Sequence, residues 1–292
     1  MLMKSDYAII SRKNFTGGLN VKRIITILAL LALSSIANAS PAKIGVLAPI
    51  GQDENDVIRW TENVAGAEGK SEMFRNTNTI VIFDDMNSMI MALRAGQIDR
   101  FAAGMYTAEY ITARNKDFNL IDNKHNAILG LSLAMREEDK PKMLAINLAI
   151  NDMKADGTLE RLIRENITEL GDNDPVAVEM SKIDGAETMK VAVTGDIPPM
   201  DCILSDGRPA GFNTAFLAEL SRRTGRNIEL VSLSAGARQT AISSGRVDAV
   251  FWTRNAYNLK RELLPYPLDK MAGVVISEPY LFESRGAIEM AK

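Results

Sequence analysis

Residues 92–99 read ALRAGQID, and residues 241–248 read AISSGRVD. In each stretch an apolar helical pattern ends at a glycine, Gly96 or Gly245, where a left-handed helix cap is expected. The glycine is followed two residues later by an apolar residue, which starts a strand pattern, and then by an aspartate. This internal repeat of helix, glycine cap, strand and aspartate predicts two lobes of similar construction.

Strand and helix patterns alternate along the rest of the chain. Residues 79–83 form a β-branched and aromatic run typical of a buried strand, and a helical pattern follows over 86–95. Residues 189–193 and 227–231 are further strand patterns, with a helical pattern over 212–224 between them. The alternation favours parallel sheets covered by helices on both faces, and therefore an α/β fold.

Composition and motifs exclude several kinds of protein. The chain has 292 residues, of which 46% are hydrophobic and 24% charged, so it is long enough for two compact lobes. Its net charge is -3, and charges of both signs are mixed along it, which argues against a nucleic-acid partner. The sequence has no glycine-rich phosphate loop, nucleophile elbow or metal-ligand motif, so we expect neither a cofactor nor a metal.

The N-terminal segment has the pattern of a secretory signal peptide. The basic residues 22–23 precede an uncharged apolar run, 24–33, that is shorter than a membrane span requires. Residues 37–39 supply the small side chains of a cleavage site. We expect residues 1–39 to be removed and the mature protein to act in the periplasm. Val21 is the expected true start, because a GTG start codon translated in frame gives valine.

Several motifs in the second half of the chain point to a known family. Residues 191–199 read VAVTGDIPP, residues 211–213 read GFN, residues 244–249 read SGRVDA and residues 277–280 read SEPY. These motifs resemble the first lobe of the periplasmic solute-binding proteins of the polar amino-acid type, family 3, and the earlier repeat copy is similar to the second lobe. The resemblance implies a monomer with the two-lobed type II periplasmic binding protein fold. It also implies that the lobes close on a small polar solute for a membrane permease or a sensor.

The order of the lobes is reversed relative to that family, which implies a circular permutation. The expected organisation is a signal peptide (1–39), lobe two (40–139), helices returning to lobe one (140–168), a linker (169–187) and lobe one (188–292). We expect the linker to be exposed and free of core contacts, because it lacks any apolar period. Two truncated tandem domains are the alternative, although each half holds only about one lobe's worth of residues.

The resemblance also implies where a solute binds. In the family, an arginine that follows a lobe-one strand binds the ligand's carboxylate with its planar fork. Here Arg254 is the first candidate and Arg261 the second, and loss of Arg254 is expected to weaken binding with little change in fold stability. The acid that meets a ligand's amine in the family is absent from residues 103–105, so the resemblance does not favour an α-amino acid. The expected binding residues are Asp196, Met200, Trp252, Thr253, Arg254, Tyr257 and Arg261.

We interpret the chain as a binding protein and not as an enzyme. An exported, dehydratase-like enzyme on the same scaffold is the alternative, and it would need a buried acid that faces the cleft. Glu278 and Asp196 are the candidates that the sequence offers for that role. A degenerate interaction module is the third possibility, and no small molecule would raise its thermal stability.

Overall fold

The computed structural model of the protein describes residues 41–67, 78–122 and 127–291. The predicted signal peptide, residues 1–39, lies outside the described residues. None of the described helices is both long enough and apolar enough to cross a membrane.

Strands and helices alternate through most of the described chain. The strands are β1 (Ala42–Leu47), β2 (Asn78–Phe83), β3 (Arg100–Gly104), β4 (Phe118–Ile121), β5 (Ala127–Arg136), β6 (Thr188–Val193), β7 (Asp196–Ile197), β8 (Asp201–Ile203), β9 (Pro209–Ala210), β10 (Asn227–Ser232), β11 (Ala249–Asn258), β12 (Leu263–Pro267), β13 (Val274–Ile276), β14 (Leu281–Glu283) and β15 (Arg285–Met290). The α-helices are α1 (Glu54–Ala67), α2 (Met86–Arg94), α3 (Met105–Arg114), α4 (Lys140–Ala155), α5 (Thr158–Ile163), α6 (Phe212–Thr224) and α7 (Arg238–Ser243).

Two large sheets have the same internal order. The five-stranded sheet runs β2-β1-β3-β15-β4, and β15 is antiparallel to both of its neighbours. The central path of the seven-stranded sheet runs β10-β6-β11-β5-β13, and β5 is antiparallel to both of its neighbours. In addition, β12 pairs with β11 and β14 pairs with β5, while β7, β8 and β9 form a small third sheet. We call the seven-stranded sheet with its helices lobe one and the five-stranded sheet with its helices lobe two. The predicted two-lobed α/β fold is confirmed.

Each lobe contains one strand from the other half of the chain. β5, which falls within the range expected for lobe two, pairs with β11 in lobe one over eight residues. β15, which falls within the range expected for lobe one, lies between β3 and β4 in lobe two. The lobes therefore do not follow the expected boundaries of 40–139 and 188–292, because these two strands cross between the sheets and tie them together.

The internal repeat has the same hydrogen bonds in both lobes. Gly96 and Gly245 have left-handed φ angles of 67° and 71°. The carboxylate of Asp99 accepts a hydrogen bond from a backbone amide near the start of β1 at 2.7 Å, and that of Asp248 accepts one from β6 at 2.8 Å. The repeated aspartate thus joins the start of β3 to β1 in lobe two and the start of β11 to β6 in lobe one.

A cluster of aromatic side chains forms part of the lobe-one core. Phe216 on α6 and Phe251 on β11 stack on the ring of Tyr280 at centroid distances of 4.7 and 4.8 Å, and Phe212 packs beside them. All four residues are essentially inaccessible to solvent. Stacked rings of this kind pack α6 against β11 of the sheet.

The linker at residues 169–187 is attached to the rest of the molecule, contrary to expectation. Most of its residues are exposed, but Leu170 and Pro175 are buried. The guanidinium of Arg114 on α3 donates to the carbonyl of Gly171 at 3.1 Å. The linker has no apolar period, yet single apolar side chains and its backbone carbonyls still find partners on both lobes.

Candidate functional site

The two lobes meet where their parallel strands end. In lobe two, Asp84 follows β2, and in lobe one Ala235 lies shortly after β10. The amide of Ala235 donates to the carbonyl of Asp84 at 2.9 Å. Ligands of open α/β sheets bind outside the carboxyl ends of the strands, so this junction is the candidate site.

Arg238, the first residue of α7, is a buried cation in this junction. Its side chain is fully buried, and it donates to the carbonyls of Ala235, Phe251 and Ala48 at 3.0, 3.5 and 3.2 Å. Ala48 belongs to lobe two and the other two residues to lobe one. Burial lowers the pKa of Arg238 to about 10, so the group stays protonated at neutral pH. Its hydrogen-bond acceptors within the described chain are neutral carbonyls.

Two guanidinium groups lie close to the ring of Trp252. The group of Arg238 is 4.3 Å from the indole ring, and that of Arg254 is 4.8 Å from it. Trp252 has a φ of 45°, a left-handed conformation that costs about 1–3 kcal/mol for a residue other than glycine. Its indole N–H has no hydrogen-bond partner within the described chain. The surrounding structure therefore holds the Trp252 backbone in a strained conformation, with two cations close to its ring.

Arg254 is bound by a carboxylate of the chain itself. Its Nε and one terminal nitrogen donate to the two oxygens of Asp269 at 3.0 and 3.1 Å. The Asp269 side chain is fully buried, and that of Arg254 is 12% exposed. Burial tends to raise the pKa of Asp269, but the Arg254 guanidinium outweighs it, so the pKa lies below its usual value. The carboxylate is therefore ionised at neutral pH.

A second buried acid, Glu283, lies at the crossing between the lobes. It ends β14 in lobe one, and its carboxylate lies so close to Gly104 of lobe two that a Cβ there would be 2.2 Å from Oε1. A hydrogen bond from the backbone of Tyr106 helps to stabilise the ionised form. Burial nevertheless raises the pKa of Glu283 to about 7, and its Oε2 atom has no hydrogen-bond partner within the described chain.

Three of the predicted site residues lie at the junction. Trp252 and Arg254 are described above. Asp196 follows the end of β6 and accepts a hydrogen bond from the amide of Met86, the first residue of α2, at 2.6 Å. Burial raises the pKa of Asp196, although the bond to Met86 opposes that effect. Asp196 thus contacts lobe two directly.

The other four predicted residues are elsewhere. Met200 is buried in the hydrophobic core. Thr253 is fully buried, and its hydroxyl has no hydrogen-bond partner within the described chain. Tyr257 lies three residues beyond Arg254 on β11, hence on the opposite face of the strand, where its ring packs edge-on against Phe282 at 5.1 Å. Arg261 is exposed near the end of the hairpin between β11 and β12, with its guanidinium 4.8 Å from the Phe282 ring.

The sequence analysis missed Arg238, Asp269 and Glu283. Arg238 follows a short turn after β10, and this position at the carboxyl end of a lobe-one strand was its only signal. Asp269 lies in a stretch without any pattern, fifteen residues after its partner. Glu283 follows the apolar pair Leu281 and Phe282 but precedes Ser284 and Arg285, so no pattern in the sequence marked it.

The structure is also similar to solved proteins with low sequence identity. The ligand-binding core of GluR0 in complex with L-glutamate is 11% identical over 87% of this chain and 86% of that chain, with a TM-score of 0.38. The aliphatic sulphonate binding protein SsuA from Escherichia coli is 12% identical over 87% and 62%, with a TM-score of 0.33. The LysR family regulator CbnR is 10% identical over 94% and 72%, with a TM-score of 0.42. These TM-scores are too low to support an argument about function.

A family model gives the more specific comparison. No curated protein matches the chain. Residues 189–263, which include β6, the small third sheet, α6, β10, α7 and β11, match the bacterial extracellular solute-binding proteins, family 3. This segment carries the VAVTGDIPP, GFN and SGRVDA motifs, together with Arg238, Trp252 and Arg254 of the junction. Through this segment, the chain is similar to the bacterial extracellular solute-binding proteins, family 3.

Proposed function

We propose that the chain is exported to the periplasm, where it captures a small polar solute between its lobes and delivers it to a membrane permease or a sensor. An amino acid and another carboxylate are both within this class. Each lobe must contact the solute, because a ligand favours the closed state only by its extra affinity for that state.

Arg238 carries this proposal. A buried charge is expensive unless a counter-charge meets it. Asp269 is the acid that raises the pKa of Arg238 most, but its carboxylate is already bound by Arg254. The junction thus holds two guanidinium groups. Within the described chain, only that of Arg254 is in contact with a carboxylate. An anionic group bound beside Arg238 would supply the missing charge next to a side chain that already bonds to both lobes.

Replacement of Arg238 by Met is expected to weaken binding of the native solute about 30-fold or more, the scale for hydrogen bonds to a charged group. Native mass spectrometry of the protein purified from its own periplasm would identify a co-purified solute, and calorimetry with that solute would measure the loss. Arg238→Lys keeps the charge without the planar fork and should bind with intermediate affinity.

Arg222→Met is the matched control, because Arg222 is 69% exposed on α6. It should bind as the wild type does. A folded Arg238→Met protein with wild-type affinity would show that Arg238 does not hold the solute. If no solute co-purifies and no small molecule raises the thermal stability, capture itself is wrong and the interaction module becomes the better interpretation.

An exported enzyme remains the second candidate function, and Glu283 is the observation that favours it. Glu278, one of the two acids considered from the sequence, is exposed, so it does not provide a buried acid. Glu283 is buried where the lobes meet, and a carboxyl pKa of about 7 suits proton transfer at neutral pH. Proton NMR of the co-purified solute during incubation with the protein separates the two functions, because a binding protein leaves the solute unchanged.

We also infer that the chain is a circular permutant of the family's order. The matched segment, 189–263, carries the lobe-one motifs in the second half of the chain. In lobe two, β1 and β15 both pair with β3, so the strands that rejoining would connect lie in one sheet. The linker at 169–187 joins the helices after β5 to β6, both in lobe one.

A chain rejoined from residue 292 to residue 40 by a short flexible linker, and opened between Asp184 and Gly185, is expected to fold cooperatively. The opening lies in an exposed turn, so it should change the free energy of unfolding little. Urea denaturation would measure this. Opening the same rejoined chain within the buried strand β5 is the control and should abolish folding. Loss of cooperative unfolding after opening at residue 184 would contradict the permutation.

A further inference from the structure

A short segment of lobe one is bonded to lobe two directly. We call residues 267–270, which begin at the last residue of β12, the strap. The amide of Lys270 donates to the carbonyl of Ile50 at 2.8 Å. The side-chain amide of Gln52 donates to the carbonyls of Pro267, at 3.1 Å, and of Leu268. The strap therefore lies across the junction and bonds to the loop that follows β1.

Asp269 is the acid of the strap, and its carboxylate is fully buried. Besides the two bonds from the Arg254 side chain, it accepts one from the Arg254 amide and one from the Ile50 amide, both at 2.6 Å. Three of its four donors thus belong to lobe one, and the fourth belongs to lobe two. The same carboxylate bridges the two lobes.

These donors form a site for a carboxylate, whatever molecule carries it. A guanidinium fork binds the two oxygens of a carboxylate side by side, and charge-assisted bonds from backbone amides satisfy the remaining lone pairs. A free carboxylate would need the same donors, and Asp269 has the advantage that the chain holds it at a high effective concentration. The contacts that a solute carboxylate would make with both lobes are therefore already made by Asp269 of the chain itself.

We propose that Asp269 is an internal ligand, which occupies a carboxylate-binding site built from Arg254 of lobe one and Ile50 of lobe two and so holds the lobes together. A small free carboxylate is the chemical class that can replace it. The native solute is then expected to bind beside Arg238, and Arg254 is not available to it. This inference does not depend on the identity of that solute, because formate and acetate can serve as probes.

The test removes the internal carboxylate and supplies a free one. Asp269→Gly leaves room for formate or acetate between Arg254 and Ile50. Its Tm should fall by roughly 5 °C or more, and about 100 mM formate or acetate should restore most of that loss while the same concentration of chloride does not. The wild type should show no such shift, because its site is already filled. Asp206→Gly, at an exposed acid in the turn between β8 and β9, should not be stabilised by formate either.

Opening of the lobes provides a second readout. The chain has two tryptophans, so a Trp60→Phe background leaves Trp252 as the reporter. Acrylamide should quench Trp252 more strongly in Asp269→Gly and in the isosteric Asp269→Asn than in the wild type, and X-ray scattering should give a larger radius of gyration for both variants. If Asp269→Gly is recovered only unfolded, refolding in formate but not in chloride supports the proposal.

Three results would overturn it. They are a folded Asp269→Gly protein that formate does not stabilise, equal stabilisation of the wild type by formate, and wild-type scattering and quenching in both Asp269 variants. Failure of Asp269→Gly to refold in either formate or chloride would also overturn the proposal. None of these results bears on capture at Arg238, which the co-purified solute tests separately.

Discussion

Raising the pH through the range from 4.5 to about 7 is expected to destabilise the protein, and Glu283→Gln is expected to remove most of that loss. Burial raises the pKa of Glu283 from 4.5 to about 7. A shift of that size corresponds to about 3 kcal/mol in the free energy of unfolding.

The sign follows from proton binding. In the folded state Glu283 keeps its proton up to a higher pH than in the unfolded chain, so the unfolded state releases its proton first as the pH rises. The stabilisation is complete below the unfolded pKa and is lost as the pH rises through the folded pKa. The groups that affect Glu283 are the Tyr106 amide and Arg254, which lower its pKa, and Glu109, which raises it.

Urea denaturation of the wild type and of Glu283→Gln across this pH range measures the effect as a difference between the two curves. Burial also raises the pKa of Asp196. Because Asp196 is present in both proteins, the difference between the curves reports the effect of Glu283 alone. Glu229→Gln, at an exposed position on β10, should follow the wild type at every pH. Parallel curves for wild type and Glu283→Gln would mean that Glu283 is ionised in the folded protein throughout this range.

The sequence predicted the repeating parts of the fold because backbone geometry requires them. Gly96 and Gly245 are needed where helices end in left-handed conformations, and the aspartates that follow them join equivalent strands. The crossing of β5 and β15 between the sheets could not be predicted in this way. A strand pattern specifies which faces are buried, and it does not specify which of two similar sheets the strand joins.

The site was predicted less completely because its contacts are distant in sequence. Arg254 lies at the junction, but nothing in the sequence marked Asp269 as its partner. Arg238 reaches Ala48, 190 residues away, through a backbone carbonyl that every residue has. A pattern of side chains cannot specify such a bond. Glu283 was missed for a similar reason, because its burial results from contact with Gly104, a residue distant in the sequence.

The sequence analysis expected that loss of Arg254 would change the fold stability little. Because Arg254 is paired with Asp269, we now expect its loss to destabilise the fold. Arg254→Ala is expected to lower the free energy of unfolding by about 3–5 kcal/mol, the range for a buried ion pair that loses one member. The reason is that Asp269, whose side chain has no solvent exposure, would keep its charge without a counter-charge. The loss should appear in the free protein, before any solute is added.

Replacement of both partners by apolar side chains distinguishes this cause from lost packing. Arg254→Met with Asp269→Leu removes both charges and keeps much of the volume, so it should recover much of the stability that Arg254→Ala loses. Arg208→Ala breaks an ion pair whose members are 65% and 48% exposed, and it should leave stability nearly unchanged because solvent screens that pair. Urea denaturation of the three variants decides the matter. If Arg254→Ala is no less stable than Arg208→Ala, the fork of Arg254 is free to bind a solute, as its place after a lobe-one strand first indicated.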